Sequence, residues 1–354
     1  MRSSGVRGWC RAVAALSGVA ALISTAGTPI SAQSLPRVHV IATGGTIASS
    51  AQGLIGVDQL LAGVPELAAA ARITFEQVLR VGSSRVVPED WLTLARHIDD
   101  AFARDPQLAG IVVTHGTDSM EETAFFLDLV AADPRPVVVT GAMRSSDAVG
   151  ADGPANLLSA VRVAAHAEAR RRGVLVVMND EVHEARFAIK AHTLRVQAFT
   201  SPEAGPSGIV EAEGVRFRTA PPSRPDPFEL SGVEALPEVG IDYSYAGARG
   251  EGVRVARESG MSGVVVAAFG SGRVSEGQAA EIRTALSRGL VVVMSSRVGR
   301  GLARDEYNGA LAAEGRNVLS AGILNPQKAR VLLMLALTRT RVLTELSRIF
   351  EAYS

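Results

Sequence analysis

The sequence predicts an α/β protein built on mainly parallel sheets covered on both faces. Two observations lead there. Apolar, β-branched runs alternate with amphipathic stretches along most of the chain. Two of those runs end in glycine turns that carry threonines. Val38-His39-Val40-Ile41-Ala42 leads into Thr43-Gly44-Gly45-Thr46, and Gly110-Ile111-Val112-Val113 leads into Thr114-His115-Gly116-Thr117-Asp118. Ligands of open parallel sheets gather at the carboxyl ends of the strands. Two hydroxyl-bearing turns at two such ends point to nucleophilic chemistry as well as to a fold.

In chain order, the apolar runs predict strands over Val38–Ala42, Ile111–Thr114, Pro136–Thr140, Val174–Met178, Val264–Ala268 and Leu290–Met294. The stretches of helical period predict helices over Trp91–Ala103, Met120–Val130, Ala155–Arg171, Gly277–Ser287 and Pro326–Thr338. The alternation is that of βαβ units. Pro221-Pro222-Ser223-Arg224-Pro225-Asp226-Pro227 interrupts it and reads as a linker or exposed loop. A larger N-terminal domain over 36–225, a linker over 226–240 and a smaller α/β domain over 241–354 are expected.

A chain of 354 residues with 20% charged residues and a formal net charge of zero is an ordinary globular composition. It carries no basic stripe and no zinc-knuckle or helix-turn-helix spacing, which argues against nucleic acid as a partner. Arg2, Arg7 and Arg11, the apolar run from Ala12 to Ala26 and the small residues Ile30-Ser31-Ala32 form the pattern of a secretory leader over 1–32. The apolar run is shorter than the roughly 20 residues a membrane span needs. A mature protein in the periplasm or outside the cell, free of the membrane, is therefore expected. The one cysteine, Cys10, lies in that leader, so the mature chain has no disulfide, thiol nucleophile or cysteine metal site. Acidic residues show no metal-ligand spacing, and His183 and His192 are poorly spaced for a ligand pair. No metal and no organic cofactor are expected.

Of 36 basic residues, only Lys190 and Lys328 are lysines. Arginine stays protonated, whereas a partly buried lysine can release its proton and act as a base. Thr46 follows a glycine pair whose amides can approach a ligand and hold an oxyanion; a plain tight turn or a phosphate loop has the same local pattern. Asp118 either caps the helix expected from Met120 or serves the chemistry of Thr117. His115, beside a buried strand, reads as structural. Lys190 is a surface lysine or the base of a Thr–Lys–Asp group. Lys328, at a helix start, reads as structural.

Taken together these segments resemble the bacterial L-asparaginase and glutaminase-asparaginase family, in particular its secreted branch. The resemblance is carried by Ile41-Ala42-Thr43-Gly44-Gly45-Thr46-Ile47-Ala48 and Thr114-His115-Gly116-Thr117-Asp118-Ser119-Met120-Glu121-Glu122-Thr123. Gly141-Ala142-Met143-Arg144, Ala151-Asp152-Gly153-Pro154-Ala155-Asn156-Leu157, Val177-Met178-Asn179-Asp180 and Leu324-Asn325-Pro326-Gln327-Lys328-Ala329-Arg330 extend it over nearly all of the mature chain. The resemblance implies a two-domain fold and hydrolysis of the side-chain amide of L-asparagine, and leaves L-glutamine open as a second substrate. It implies Thr46 as the nucleophile of an acyl-enzyme and a second group of Thr117, Asp118 and Lys190. Asp118 would also bind the substrate ammonium, and Ser83 its carboxylate. The assembly it implies is a homotetramer of dimers, each site completed by a neighbour.

Two departures qualify the resemblance. The secreted members follow the first threonine turn with a long lid that carries a tyrosine. Here only Ser49-Ser50-Ala51-Gln52-Gly53 stands before Leu54-Ile55-Gly56-Val57-Asp58, and no tyrosine precedes Tyr243. Arg273, in Gly270-Ser271-Gly272-Arg273, stands where the branch commonly has a small polar residue. Arg273 reads as a clamp on a substrate carboxylate in a neighbour's site or, the favoured reading, as an interface salt bridge, and which residue completes that site, Arg273, Glu306 or another, stays open. Two other readings remain at this point: an amino-acid-binding protein with weak turnover, and an amidase for a larger substrate.

Overall fold

The computed structural model describes residues 34–354, apart from 51, 52, 55, 305–310, 312–316 and 354, and gives the backbone alone at 49, 50, 53 and 54. The expected leader and Glu306 lie outside the described residues. Residues 35–354 form one compact unit.

The first half runs β1 (Arg37–Gly44), β2 (Ser49–Ser50), β3 (Gly53–Leu54), α1 (Val57–Ala62), α2 (Leu67–Ala70), β4 (Arg72–Val81), α3 (Pro88–Arg104), β5 (Leu108–Thr114), α4 (Met120–Val130), β6 (Val137–Thr140), α5 (Gly153–Ala165), β7 (Val174–Met178), β8 (Glu181–Glu184), β9 (Ile189–Lys190), β10 (Phe199–Thr200), β11 (Gly208–Glu211) and β12 (Gly214–Phe217). The second runs β13 (Val239–Tyr243), α6 (Glu251–Glu258), β14 (Gly263–Ala268), α7 (Glu276–Ser287), β15 (Val291–Ser296), β16 (Leu319–Ser320), α8 (Pro326–Arg339) and α9 (Leu343–Ala352).

An eight-stranded sheet has the order β12-β11-β8-β7-β6-β5-β1-β4, and a four-stranded sheet the order β13-β14-β15-β16. From β4 to β7 all pairings are parallel; β8, β11 and β12 add an antiparallel edge. The small sheet is parallel throughout. The expected larger and smaller sheets with mainly parallel pairing are therefore present.

Side-chain alternation sorts each strand onto two cores. Val38, Val40 and Ala42 face α1 and α5, with Leu60, Leu157, Val161 and Ala164. Ile41, Ile111, Val113 and Val139 face α3 and α4, and that core continues through α8 to Val265, Val291 and Val293 of the small sheet. The far face of the small sheet is covered by α6 and α7 through Val253, Ala256, Ile282 and Leu286. The helices α4 and α8 thus lie between the two sheets. Nearly every residue of α4, and Val331 to Leu337 of α8, is buried, as expected of helices apolar on all sides.

Two expectations change. The helix expected to reach Arg171 ends at Ala165, because His166 is extended (φ −83°, ψ 131°) and a short 3₁₀ turn, Ala167–Ala169, follows. The ten-residue strand β4 was not foreseen. It lies at the sheet edge with no residue buried, and Arg72, Thr74, Glu76, Gln77 and Arg80 break up its apolar residues, so it lacks the apolar run that marks a buried parallel strand.

Phe126 is fully buried and stacks on Trp91 with ring centroids 5.5 Å apart. Phe126→Ala should lower the unfolding free energy by about 3–5 kcal/mol, read from the denaturant midpoint at unchanged slope.

Candidate functional site

Three turns meet at the carboxyl ends of β1, β4 and β5. They approach so closely that only glycine fits. Gly44 (φ +104°) and Gly45 (φ +84°) leave β1 in conformations that L side chains rarely adopt. A Cβ on Gly45 would lie 2.3 Å from Gly116 N, and one on Gly116 would lie 2.6 Å from Ser83 Oγ. Thr46 and Thr117, the residues that follow these touching glycines, are thereby brought to one place. Thr46 opens a 3₁₀ turn, Thr46–Ala48, and is half-buried; Thr117 is buried. Thr43 Oγ1 donates to the carbonyl of Thr114 at 2.8 Å and ties the two strand ends together.

Ser83 arrives by an irregularity of β4. The pairing Ala42↔Gln77 jumps to Gly44↔Val81, and Gln77 Nε2 donates to Ala42 O at 3.0 Å within the bulge. The chain then turns through Ser83–Arg85. Ser83 Oγ accepts the N–H of Asp118 at 3.1 Å, and Ser83 O accepts from Ser119 Oγ at 2.6 Å. The serine therefore braces the second threonine turn.

Lys190 reaches this turn from β9. Its Nζ lies 2.9 Å from Thr117 Oγ1 and donates to Asp118 Oδ1 at 2.6 Å. The lysine side chain is 17% exposed and that of Asp118 65% exposed. Asp118 does not cap α4, whose N-cap position is Ser119; its carboxylate turns to the lysine. The structure thus brings Thr117, Asp118, Lys190 and Ser83 into direct contact or one bond apart, with Thr46 on the adjoining turn.

His115 stands behind the turn. Its Nδ1 donates to Gly116 O at 2.7 Å, and its Nε2 accepts from Thr123 Oγ1 at 3.1 Å, whose oxygen in turn accepts from Trp91 Nε1 at 2.9 Å. These partners select the neutral Nδ1–H tautomer. Burial pushes the imidazole below its ordinary pKa, so the histidine serves as a brace.

Glu121 joins the cluster from the first turn of α4. Its Oε2 accepts the N–H of Lys190 at 2.6 Å, and its Oε1 accepts from Asn325 Nδ2 at 3.0 Å and Gln327 Nε2 at 2.5 Å. Its partners lie 69 to 206 residues away, so local pattern could not reveal it. The turn after Thr46 is the short hairpin β2–β3, with Ser49 opposite Leu54 and Ser50 opposite Gly53. Arg273 is exposed on a turn after β14 closed by Phe269 and Arg273, outside the cluster of Thr117, Asp118 and Lys190. Among the described residues, no group of three His, Cys, Asp or Glu could hold a metal ion, and no helix is long and apolar enough to cross a membrane.

Gly45→Ala should reduce turnover by about 100-fold or more by forcing the threonine turns apart. Gly63→Ala, at φ −72° with 3.4 Å to its nearest neighbour, should leave turnover unchanged. Parallel rate measurements check the pair.

His183, on β8, accepts from Ser201 Oγ at 3.0 Å just beyond β10, with Nε2 3.4 Å from Glu181. Burial first, and Lys328 second, push its pKa down to about 4. The unfolded chain takes that proton near pH 6.5, so it binds more protons than the folded chain between pH 6.5 and 4. Stability therefore falls as pH drops through this window, by about 3 kcal/mol for this group. The stability–pH curve of His183→Asn should be flatter than wild type by about one proton there.

Two family models match the chain in order: "Asparaginase, N-terminal" over residues 37–223 and "Glutaminase/Asparaginase C-terminal domain" over 238–350. The chain is 40% identical over 335 residues to L-asparaginase 2 of Escherichia coli K12, a match covering 91% of this chain and 94% of the relative. It is 40% identical over 334 residues to the probable periplasmic L-asparaginase of Haemophilus influenzae, again covering 91% and 94%. The crystal structure of a probable cytoplasmic L-asparaginase from Campylobacter jejuni superposes with a TM-score of 0.83 at 41% identity, covering 89% of this chain and 99% of that one. The two family models together span residues 37–223 and 238–350, and the chain belongs to the asparaginase family.

Proposed function

We propose that this protein is an L-asparagine amidohydrolase, releasing ammonia and L-aspartate, with L-glutamine as a second substrate. One observation carries the reading: the Lys190 amine bridges the Thr117 hydroxyl and the Asp118 carboxylate beside the glycine turn that presents Thr46. That is the machinery for activating a hydroxyl next to a second hydroxyl and an anion, without a cofactor.

Thr46 Oγ attacks the side-chain amide carbon, forming an ester as the carbon–nitrogen bond breaks. Its proton leaves with the ammonia. Water then attacks the ester, the carboxylate departs and Thr46 regains a proton. Thr117, held by Lys190 and Asp118, acts beside this centre in proton transfer. The exposed Asp118 carboxylate binds the substrate α-ammonium, and Ser83 its α-carboxylate. A pocket that admits one extra methylene discriminates by about 1–3 kcal/mol, which is compatible with both substrates.

The hairpin β2–β3 supplies less cover over the site than a long lid would. Lids exclude water and complete sites, so substrate capture should be weaker here. We infer further that residues 1–32 are a cleaved leader, that the protein works in the periplasm, that 36–225 and 241–354 are its two domains, and that it assembles as a homotetramer. In that assembly a neighbouring copy completes each site.

The test is ammonia release from L-asparagine and L-glutamine by protein taken from the periplasmic fraction, where a mature chain starting at Gln33 is expected. Thr46→Ala, Thr117→Ala and Lys190→Ala should each lose about 1,000-fold or more in kcat while remaining folded. Wild-type rates in Thr46→Ala sink its assignment as nucleophile. No release from wild type, with a melting shift on adding asparagine, establishes a binding protein instead.

A further inference from the structure

Lys190 stands on a support too small to hold it alone. β9 is two residues long and pairs with β10 as Lys190↔Phe199 and Ile189↔Thr200, and a short isolated hairpin is marginal in water. Two contacts from outside the hairpin secure it. Glu121 Oε2 accepts the Lys190 N–H at 2.6 Å. Lys328 Nζ donates to the carbonyls of Ala185, Arg186 and Ala188, the residues leading into β9, at 2.8, 2.9 and 2.5 Å.

Both contacts meet at the start of α8: Lys328 lies in its first turn, and Glu121, in the first turn of α4, is held by residues of the α8 start. Asn325 and Gln327 each donate to Glu121 Oε1, while the Asn325 Oδ1 caps the helix by accepting the Lys328 N–H at 3.0 Å. Glu121 is 4% exposed and Lys328 1% exposed. The residue types fit these tasks. An ionised carboxylate only accepts, so Glu121 serves three donors at once, which a glutamine cannot do. An ammonium has three donors spread as a tetrahedron and satisfies three converging carbonyls, which a planar guanidinium does not match. Both lysines of an otherwise arginine-based chain thus belong to one assembly. α8 is packed between the two sheets, so the assembly carries the position of the second domain to the reacting groups of the first.

We propose, on the reading of this protein as an amidohydrolase, that Glu121, Gln327 and Lys328 are positioning residues: the first turn of α8 sets where the Lys190 amine sits on Thr117 and Asp118. None of the three touches substrate. Their effect should appear in kcat, with KM little changed, and in the surroundings of the Lys190 amine.

The presence of only two lysines permits a direct test. Protein labelled with carbon-13 at lysine Cε shows one signal each for Lys190 and Lys328, assigned with Lys190→Arg. Glu121→Gln should shift the Lys190 signal and lower kcat about 10- to 100-fold, with KM changed only a few-fold. Adding Gln327→Glu moves the carboxylate across the same junction and should return both readouts toward wild type. Gln327→Leu keeps both lysines and Glu121, and should shift the Lys190 signal less but in the same direction; it serves if Glu121→Gln does not fold. A Lys190 signal and kcat unchanged in Glu121→Gln overturn the proposal. So does an equal loss of kcat in Leu335→Ala, a core change in α8 far from the junction, at matched melting temperature. If wild type releases no ammonia, the amidohydrolase reading fails, and the Lys190 signal still decides the positioning.

Discussion

The approach of Gly45 to Gly116 is the constraint on which the site depends. With a Cβ only 2.3 Å from the opposing amide nitrogen, no other residue at position 45 lets the turns after β1 and β5 touch. The contact brings together two threonines 71 positions apart in the sequence. It also leaves the turns little freedom, because the strands beneath are locked in a parallel ladder and Thr43 bonds to the Thr114 carbonyl. The stiffness of the sheet is passed to the hydroxyls through backbone. Ser83 extends the principle: the bulge in β4 steers the chain over the turn, where a side chain and a carbonyl both secure the start of α4.

A second constraint is electrostatic. The fold buries Glu121 and Lys328 in the helix layer between its sheets, and an isolated charge there would be very costly. Each is matched donor for acceptor: three donors converge on the carboxylate, and three carbonyls on the ammonium. Burial still pushes the Lys328 amine down to about 8, against the opposing pull of Glu121 and Asp128. Such a group is tolerable only with its partners in place, so the surrounding backbone is held to one arrangement. A hydrophobic residue would fill the space but would leave the carbonyls ahead of β9 without donors.

How much of this was legible in the sequence follows from the range of each interaction. The two threonine turns were readable because strand, glycine and hydroxyl are adjacent in the chain. The buried strands β5, β6, β7 and β14 were readable from their apolar runs. The edge strand β4 was not, since none of its residues is buried and polar residues interrupt its apolar ones. Asp118 had two local readings, helix cap or lysine partner; only the arrival of β9, 72 residues later, decides between them. Glu121 looked like an ordinary acidic residue in the first turn of a helix, and its partners lie across the whole fold. The scarcity of lysine was the one sequence signal for the Glu121 assembly, because it singled out both amines before any contact between segments was visible.

The two amines show how one residue type is used in opposite ways. Lys328 is enclosed and faces three main-chain carbonyls that never change protonation state; its function is to be held still. Lys190 keeps a partly exposed side chain and faces a hydroxyl and a carboxylate, the groups to which the proposed function gives proton transfer and substrate binding. Arginine would fail at both for different reasons. At 328 its planar fork does not fit three carbonyls, and at 190 it would not place a single compact amine between the Thr117 hydroxyl and the Asp118 carboxylate. Elsewhere the chain uses arginine where a fixed charge and wide reach are wanted, as where Arg224 spans to the side chain and carbonyl of Asp128. The division of labour follows from donor geometry.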